Sequence, residues 1–327
     1  KLNSDYVELG EWDKGFSDHY NAQLKDLVGD FEIDRVAAAT SARKKLLWLT
    51  PFFFIFAVIG WKLLVWEFNE SDDPSGFGFL FIILSYGAIF WYINRSILVY
   101  QTSIKNKIFP RILAFVGNFS FSAEVPAQVE QYKKSGLIPS FSKENNEDQI
   151  IGEYNGVKLE LFESHLQKWK NRGKRSRLET VFNGLIIVLN MNKDFIGKTV
   201  VKQDKGAVGN WFGKKFSGLE NIKLEDPKFE EIFEVYSTDQ IEARYLLTVS
   251  FMERLLELAE IFDNSKIQLC FEDNRLLMVI PLRKPIFEPG PITEPEDFID
   301  DAQSLLKEIY LIRQIVDILK LNMKMNL

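Results

Sequence analysis

The chain contains LLWLTPFFFIFAVIGWKLLVW at residues 46–66 and FGFLFIILSYGAIFWYI at residues 77–93, and these two apolar runs decide its fold. An α-helix rises about 1.5 Å per residue, so about 20 residues cross a hydrocarbon core about 30 Å thick. The only charge in the first run, Lys62, lies near its end, where its side chain can reach the headgroups. The second run can extend to Arg95, whose long side chain can likewise reach the headgroups. The pair predicts a transmembrane hairpin with spans at 46–66 and 77–95.

The residues that flank the two runs predict their orientation. Basic residues precede the first run and follow the second: Arg43, Lys44, Lys45, Arg95, Lys105, Lys107 and Arg111. The connecting segment 67–76 carries four acidic residues and no Lys or Arg. Positive charge is retained on the cytoplasmic side of a membrane. We therefore expect the connecting loop outside, and both termini and the main domain in the cytoplasm.

Composition limits what the rest of the chain can be. The formal net charge is −6, whereas nucleic-acid binding requires a basic footprint, so we expect no nucleic-acid partner. Cys270 is the single cysteine, which excludes an internal disulfide and fits a reducing cytoplasm. Its apolar surroundings predict a buried thiol. The residues outside the hairpin suffice for one sizeable soluble domain with helical extensions.

Short apolar runs bounded by turn residues alternate with amphipathic segments after the hairpin, which predicts an α+β fold. We expect a mostly antiparallel sheet packed with helices, anchored to the membrane by the hairpin and its amphipathic flanking helices. The predicted parts are an N-terminal amphipathic helix within 1–45, the hairpin at 46–96, a membrane-exit helix at 97–117, interrupted near Pro110, the α+β domain at 118–290, and a C-terminal amphipathic helix at 291–327.

Several local patterns give sharper expectations. Asn155-Gly156 between two apolar runs predicts a hairpin with a type I′ turn. Ser237 and Gln240 form a capping-box pattern that would open one long helix over 239–262, with Tyr245 and Val249 on its apolar face. Residues 1–15 are interpreted as a flexible lead-in and 142–149 as a solvated loop.

The sequence carries no recognisable catalytic motif. It lacks H-E-x-x-H, G-x-S-x-G and the dinucleotide fingerprint, and neither His19 nor His165 has a second ligand at metal spacing. A phosphate-binding loop at Gly213-Lys214 would need Gly at 208 and Ser or Thr at 215, where the chain has Val208 and Lys215. We therefore expect no metal, no cofactor and no catalytic residues, and the sequence does not favour an enzyme.

Two segments are candidate interaction surfaces. The first is a cluster of basic residues that could face anionic lipid, the alternative being a solvated hairpin tip: Lys168, Lys170, Arg172, Lys174, Arg175 and Arg177. The second is an apolar seam with heptad spacing in the C-terminal helix, a candidate surface for a partner helix: Phe298, Leu305, Ile309, Ile312, Val316 and Leu319. Docking of this seam on the chain's own amphipathic helices near 16–42 and 97–117 is favoured over self-association.

Four blocks of sequence carry a family resemblance: GEYNG at 152–156, FNGLIIVLNMNKDFIGKTVV at 182–201, IKLEDPKFEEIFEVYSTDQIEARYLLT at 222–248 and VIPLRKPIFEP at 279–289. Over roughly 16–290 the chain resembles the bacterial membrane-protein family catalogued as domain of unknown function 3137, some members of which are labelled galanin. The C-terminal helix looks less typical of it. The resemblance implies a bacterial inner-membrane protein without known enzymatic activity and a LemA-type membrane protein as partner. It marks Tyr236, Asp239, Glu242 and Arg244 as a candidate surface.

Three functions are compatible with these features. The favoured one is a membrane-anchored interaction or scaffold module that binds a protein partner or a second copy of itself. The alternative is a cytoplasmic domain that binds or converts a small molecule, with a pocket lined by Tyr236, Asp239 and Arg244. A pore built from several copies is the weakest, because few polar residues in the spans, Thr50, Lys62 and Ser85 among them, could line it.

Overall fold

The computed structural model describes residues 5–70, 76–172, 175–191, 194–203, 218–262, 266–283, 285, 292–295 and 297–325. The chain divides into two compact units. The first comprises Lys1–Val7, Ser17–Ile108 and Glu288–Ile299, and the second comprises Glu8–Phe16, Phe109–Phe287 and Asp300–Leu327. Each unit is described by itself.

Long helices dominate the first unit. Helix α1 covers Phe16–Gln23, α2 covers Lys25–Glu70, and α3 covers Phe77–Val116. The two apolar runs lie inside α2 and α3, which are long and apolar enough to cross a membrane. Only 6% and 11% of their most apolar windows are buried, unlike the core helix of a soluble protein. The two long apolar helices expected from the sequence are therefore present.

These helices are more continuous than the sequence predicted. No break separates the amphipathic part of α2 from its apolar run, and α3 passes through Pro110 without interruption. The expected interruption there was wrong: a single proline removes one backbone hydrogen bond, which a helix of this length tolerates. Helix α3 ends at Val116 and is followed by Gly117, whose φ of 141° is accessible to glycine alone at little cost.

Close contacts hold α2 against α3. A Cβ on Gly78 would lie 2.8 Å from the backbone nitrogen of Leu64, and a Cβ on Gly60 would overlap the side chain of Ile82. Glu67, at the end of α2, accepts the backbone N–H groups of Phe77 and Gly78 at 2.8 and 3.1 Å. Its carboxylate thereby caps the first turn of α3, where the helix dipole favours negative charge.

The second unit is built on a sheet with nine strands among the described residues: β1 Phe119–Val125, β2 Lys143–Tyr154, β3 Val157–Arg172, β4 Arg175–Asn190, β5 Thr199–Gln203, β6 Glu220–Ile222, β7 Phe233–Ser237, β8 Gln268–Glu272 and β9 Arg275–Pro281. The strand order is β1-β2-β3-β4-β9-β8-β5-β7-β6, and neighbouring strands run antiparallel. This confirms the predicted antiparallel sheet.

The turn chemistry explains two of its hairpins. Asn155 and Gly156 join β2 to β3 with φ values of 50° and 76°, so the predicted turn with two positive φ angles is confirmed. Asp273, with φ of 56°, begins the turn between β8 and β9. Asn and Asp tolerate this left-handed conformation because their short side chains bond locally to the backbone.

The sheet is covered on both faces. Phe162, Leu166 and Ile186 pack on one face with a 3₁₀ helix, Val129–Ser135, and the segment after it. The other face carries helix α6, Val249–Ile261, whose Phe251 ring centre lies 5.8 Å from that of Phe271. Helix α7, Ile299–Met325, belongs to this unit from Asp300 onward. Two short helices complete the described elements: α4, Pro227–Ile232, and α5, Gln240–Leu246.

The single long helix expected over 239–262 is instead two helices, α5 and α6. Asp239, rather than Ser237, is the N-cap of α5, and its side chain accepts the N–H groups of Ile241 and Glu242. Thr248 then starts a new helix, because its hydroxyl accepts the N–H of Phe251. The break changes which face is buried. Tyr245 and Val249, expected in the core, are exposed.

Two further expectations were wrong. Residues 143–149 form the first half of β2, paired with β3 and partly with β1, instead of a solvated loop. Residues 8–16 are not a loose lead-in, because the buried carboxylate of Asp13 accepts the N–H groups of Leu9 and Gly10, each at 2.9 Å. Both segments are rich in polar residues. The backbone of 143–149 pairs with other strands of the sheet, and that of 8–16 is held in a local turn capped by the Asp13 side chain.

Candidate functional site

The family-like block around α5 is organised by the side chain of Glu242. This residue is buried, and its carboxylate accepts the backbone N–H of Ile196 at 2.6 Å and that of Gly197 at 2.8 Å. Hydrogen bonds to a carboxylate are stronger than those between neutral groups. Glu242 therefore ties α5 to the loop that precedes β5.

A second set of contacts fastens the same loop to the residues before α5. The Thr238 hydroxyl accepts the N–H of Lys198 at 2.9 Å, and the Thr238 N–H donates to the carbonyl of Lys198 at 3.0 Å. A Cβ on Gly197 would lie 2.5 Å from the Thr238 hydroxyl oxygen. Only glycine fits this approach without displacing its neighbour. The two sequence blocks are thus one braced structure.

The four marked residues of this block mostly make local structural contacts. Asp239 caps α5, and Glu242 braces the loop. Tyr236 donates its hydroxyl to Glu234 at 2.9 Å, and its burial raises its pKa. Arg244 donates to two backbone carbonyls at 3.3 and 3.4 Å. Tyr236, Asp239 and Arg244, expected to line a pocket, thus contact separate partners.

The braced structure instead presents large apolar side chains to solvent. The exposed fractions are 81% for Ile196, 71% for Ile241, 46% for Tyr245 and 58% for Val249. Ile241 and Tyr245 are four residues apart on α5 and so share one face, and Glu242 holds Ile196 beside that helix. We call these four residues the apolar patch. Sequence reasoning missed it because the break at Thr248 was not recognised.

The six basic residues lie mainly on paired strands rather than in a loop. Lys168, Lys170 and Arg172 belong to β3, while Arg175 and Arg177 belong to β4. Lys174 lies outside the described residues, and so do the side chains of Arg172 and Arg175. Lys170 pairs with Glu179 at 2.5 Å, and Lys168 donates to the Ser140 hydroxyl at 2.6 Å. The register thus places five of the six on this pair of strands.

The described side chains of the C-terminal seam are buried within the chain: Phe298, Leu305, Ile309, Ile312 and Val316. The side chain of Leu319 lies outside the described residues. In the second unit, Asp317 of α7 accepts hydrogen bonds from Tyr154 at 2.8 Å and Asn155 at 2.6 Å. In the first unit, the ring centres of Phe298 and Phe31 are 5.6 Å apart. Intramolecular packing therefore occupies the described part of the seam.

A cleft of about 470 Å³ lies beside α7 in the second unit. Its lining includes Trp12, Tyr310, Arg313 and Gln314. The guanidinium of Arg313 stacks over the Tyr154 ring at 4.2 Å from its centre. The Trp12 indole nitrogen and the Gln314 amide oxygen are buried without a hydrogen-bond partner. The cleft combines aromatic walls with polar groups, as small-ligand sites do.

Among the described residues, no group of three or more His, Cys, Asp or Glu side chains is arranged to hold a metal ion. His165 contacts the Thr180 hydroxyl at 2.8 Å through its Nε2. Cys270 is buried in β8, and that burial raises the pKa of its thiol to about 12. A thiol with so high a pKa is a poor nucleophile.

Comparison with known proteins identifies one family. Residues 180–321 match the family model described as protein of unknown function (DUF3137). The match begins in β4 and extends through most of α7. It thus includes the C-terminal helix, which we expected to be less typical of the family, and does not reach the N-terminal helices. No curated protein matches the chain.

One solved structure is weakly similar. It is the crystal structure of the mycobacterial trehalose monomycolate transport factor A, TtfA, at 13% identity and a TM-score of 0.34. The match covers 64% of this chain and 91% of that one. A similarity of this size does not establish a common fold. Residues 180–321 do match the DUF3137 family, and the resemblance drawn from the sequence is thereby confirmed.

Proposed function

We propose that the protein is a membrane-anchored interaction module. In this proposal α2 and α3 form a transmembrane hairpin, and the α+β unit binds a protein partner through the apolar patch. The observation that carries the proposal is the exposure of Ile196, Ile241, Tyr245 and Val249 on a rigidly braced support. Apolar patches of this kind on a soluble surface mark interaction sites.

The anchor is supported by the surfaces of α2 and α3. Large apolar side chains along both helices are exposed, among them Phe54, Ile83 and Phe90. Exposure of so many apolar groups to water would be costly, whereas exposure to lipid is favourable. Trp48, Trp66 and Trp91 lie near the ends of the apolar runs, as aromatic residues do at membrane interfaces. A bacterial inner membrane, with the α+β unit in the cytoplasm, accommodates these features.

The patch is suited to a protein partner because it is organised in advance. Two backbone hydrogen bonds to Glu242 fix the loop that carries Ile196, so little conformational freedom is lost when a partner binds. Tyr245 supplies an amphipathic ring of the kind enriched at the centres of interfaces. The family resemblance makes a LemA-type membrane protein the first candidate partner, and a second copy of this chain is the other.

The test is site-specific photo-crosslinking in native membranes. A photoreactive residue at position 241 should capture a LemA-type protein, whereas one at Glu260, exposed on α6, serves as the matched control. The double variant I196S/Y245A should reduce capture at least about tenfold, because truncated interface anchors cost about 1–4 kcal/mol each. Equal capture from positions 241 and 260 would refute the proposal. Capture of a second copy would identify the alternative partner.

The cleft beside α7 favours a second candidate function, the binding of a small molecule. Its lining combines Trp12 and Tyr310 with Arg313 and Gln314, so it suits a ligand that carries both apolar and polar groups. Native mass spectrometry of the chain purified from its host membrane tests this directly. A bound molecule that is lost in the Arg313→Leu variant supports the candidate, and a chain of unmodified mass excludes a tightly bound ligand.

A further inference from the structure

We propose that the outer end of the β3–β4 hairpin binds the surface of an anionic bilayer. This segment, Lys168–Arg172 paired with Arg175–Glu179, is called the basic ribbon below. The proposal rests on the anchoring of the chain in a membrane, which is itself part of the proposed function. It adds a lipid-binding surface to the unit whose apolar patch is assigned to a protein partner.

The basic ribbon extends beyond its neighbouring strands. Pairing of β2 with β3 ends at Lys143 and Gln167, and pairing of β4 with β9 is confined to Gly184–Asn190. Beyond these limits the described residues of the two strands form ladder pairs with each other, and Lys168 and the Trp169 N–H also contact the hydroxyls of Ser140 and Ser142. At about 3.3 Å per residue, the five paired positions of the ribbon span about 17 Å. The ribbon can therefore approach a flat surface without the rest of the sheet.

The register collects positive charge on one face of the ribbon. Residues opposite each other in a pair, and residues two apart along a strand, share a face. The pairs on this face whose side chains the structure describes are Lys168 with Glu179 and Lys170 with Arg177. These side chains carry three basic groups and one acidic group, a formal excess of two positive charges. Glu179 is within salt-bridge distance of Lys170.

One of these pairs, Lys170 with Arg177, places like charges directly opposite one another, which destabilises an isolated antiparallel ribbon. An anionic surface relieves this repulsion, because lipid phosphates supply the opposite charge to both members of a pair. The arrangement is thus unfavourable in water and favourable at a bilayer that contains acidic lipid.

The opposite face of the ribbon is adapted to the headgroup region. It carries Trp169, which is 55% exposed and pairs with Leu178 across the hairpin. A tryptophan ring combines a large apolar area with a polar N–H and prefers the interface between lipid and water. With Lys and Arg on one side and Trp on the other, the ribbon matches the composition of interfacial membrane-binding segments.

Lipid is favoured over nucleic acid as the occupant for two reasons. The chain as a whole carries a net charge of −6, which repels a polyanion in solution but acts little on a ribbon held at a bilayer. The two membrane-capable helices also place the lipid surface on the same molecule. Each Lys or Arg near an anionic surface is expected to strengthen association about fivefold.

The test uses the full chain in nanodiscs of phosphatidylcholine alone or with about a third of phosphatidylglycerol. A nitroxide label at Ser176→Cys reports on the face that carries Trp169, and the buried Cys270 does not compete for the reagent. In anionic discs the label should collide with oxygen, which concentrates in lipid. In neutral discs it should collide with a water-soluble nickel complex. High salt should abolish the difference.

A matched pair of variants separates the ribbon from general charge effects. The triple variant K168E/K170E/R177E should weaken the association of the basic ribbon with anionic discs about a hundredfold or more. K143E/K223E/K228E changes the net charge equally at other exposed positions and should have little effect. The milder K168Q/R177Q, expected to weaken association with anionic discs about twenty-five-fold, covers the case in which charge reversal prevents folding.

Each contrary result has one meaning. A label that stays in water in both kinds of disc, in a chain that is fully inserted, would overturn the ribbon proposal alone. Failure of the chain to insert would overturn the membrane anchor and the ribbon proposal together. Equal loss in the two triple variants, or protection of the label by an RNA oligonucleotide in neutral discs, would also overturn it.

Discussion

The carboxylate of Glu242 accepts the backbone N–H of Ile196 at 2.6 Å, although the two residues are 46 positions apart in sequence. Gly197 donates its N–H to the other carboxylate oxygen at 2.8 Å. One buried side chain thereby satisfies two successive backbone donors and sets the position of an exposed isoleucine. This relationship links the interior of the family-like block to the surface that we assign to partner binding.

Removal of the Glu242 carboxylate should destabilise the α+β unit. In Glu242→Ala both amides lose a charged acceptor, and a hydrogen bond to a charged group contributes about 1.5–3 kcal/mol. Glu242→Gln retains one acceptor oxygen and should lose less. Thermal unfolding monitors stability, and hydrogen exchange at Ile196 and Gly197 monitors the loop. Glu260→Ala, at an exposed position on α6, should stay within about 0.5 kcal/mol of the parent.

Gly197→Ala should also be destabilising, because its Cβ would lie 2.5 Å from the Thr238 hydroxyl oxygen. We expect a loss of about 1–3 kcal/mol in the free energy of unfolding, typical of overpacking. Gly29→Ala in α2 meets no neighbouring atom and removes a flexible residue from a helix, so it should stabilise by up to about 1 kcal/mol. Equal effects of the two substitutions would contradict the close approach at Gly197.

Glu308 should make stability depend on pH. Burial, with a smaller contribution from the Glu163 carboxylate, raises its pKa from 4.5 to about 8. The folded chain therefore holds a proton that the unfolded chain releases, and stability falls as pH rises from about 4.5 to about 8. Glu308→Gln removes this titration. Relative to the parent, the melting temperature of this variant should therefore increase between pH 5 and pH 9. The increase should be about 2–4 °C for each kcal/mol of stability that the parent loses.

The matched control for Glu308 is Glu253→Gln on the exposed side of α6. Its melting temperature should follow that of the parent at every pH. A constant offset between Glu308→Gln and the parent over the whole range would show that Glu308 is ionised in the folded chain, contrary to the expectation.

The packing of α2 against α3 should depend on Gly60 and Gly78. A larger side chain at either position meets atoms of the facing helix, so Gly60→Leu and Gly78→Leu should separate the helices. Gly87 has open space around it, and Gly87→Leu should be tolerated. Disulfide formation between cysteines at Ser41 and Ser96, whose hydroxyl oxygens are 3.3 Å apart, reports the separation. Equal disulfide yields in all three variants would contradict this packing.

The orientation of the hairpin predicts which cysteines a membrane-impermeant maleimide can reach. Ser75→Cys, in the acidic connecting segment, should react in intact cells, whereas Ser250→Cys, on α6, should react only after the membrane is opened. Native Cys270 should react in neither case, because it is buried and burial raises the pKa of its thiol to about 12. The reverse labelling pattern would show that the hairpin has the opposite orientation.

Local chemistry explains the features that were predicted correctly. Two long apolar helices follow from uninterrupted apolar runs, and Asn155-Gly156 specifies a hairpin because both residues tolerate positive φ. Asp226 followed by Pro227 is a local start signal of the same kind for α4, since the Asp side chain accepts the first free N–H groups and Pro lacks one. Each signal depends on residues a few positions apart, and such contacts can be inferred without the fold.

Tertiary structure alone decided the candidate site. The exposure of Tyr245 and Val249 and the bond from Glu242 to Ile196 depend on residues brought together by the sheet. The register of β3 with β4, which gathers the basic residues on one face, is likewise a long-range property. The sequence by itself determined the two long apolar helices, the antiparallel sheet and the family resemblance of this protein. Only the fold could decide which of its apolar and charged side chains are left facing outward, because burial is set by distant neighbours.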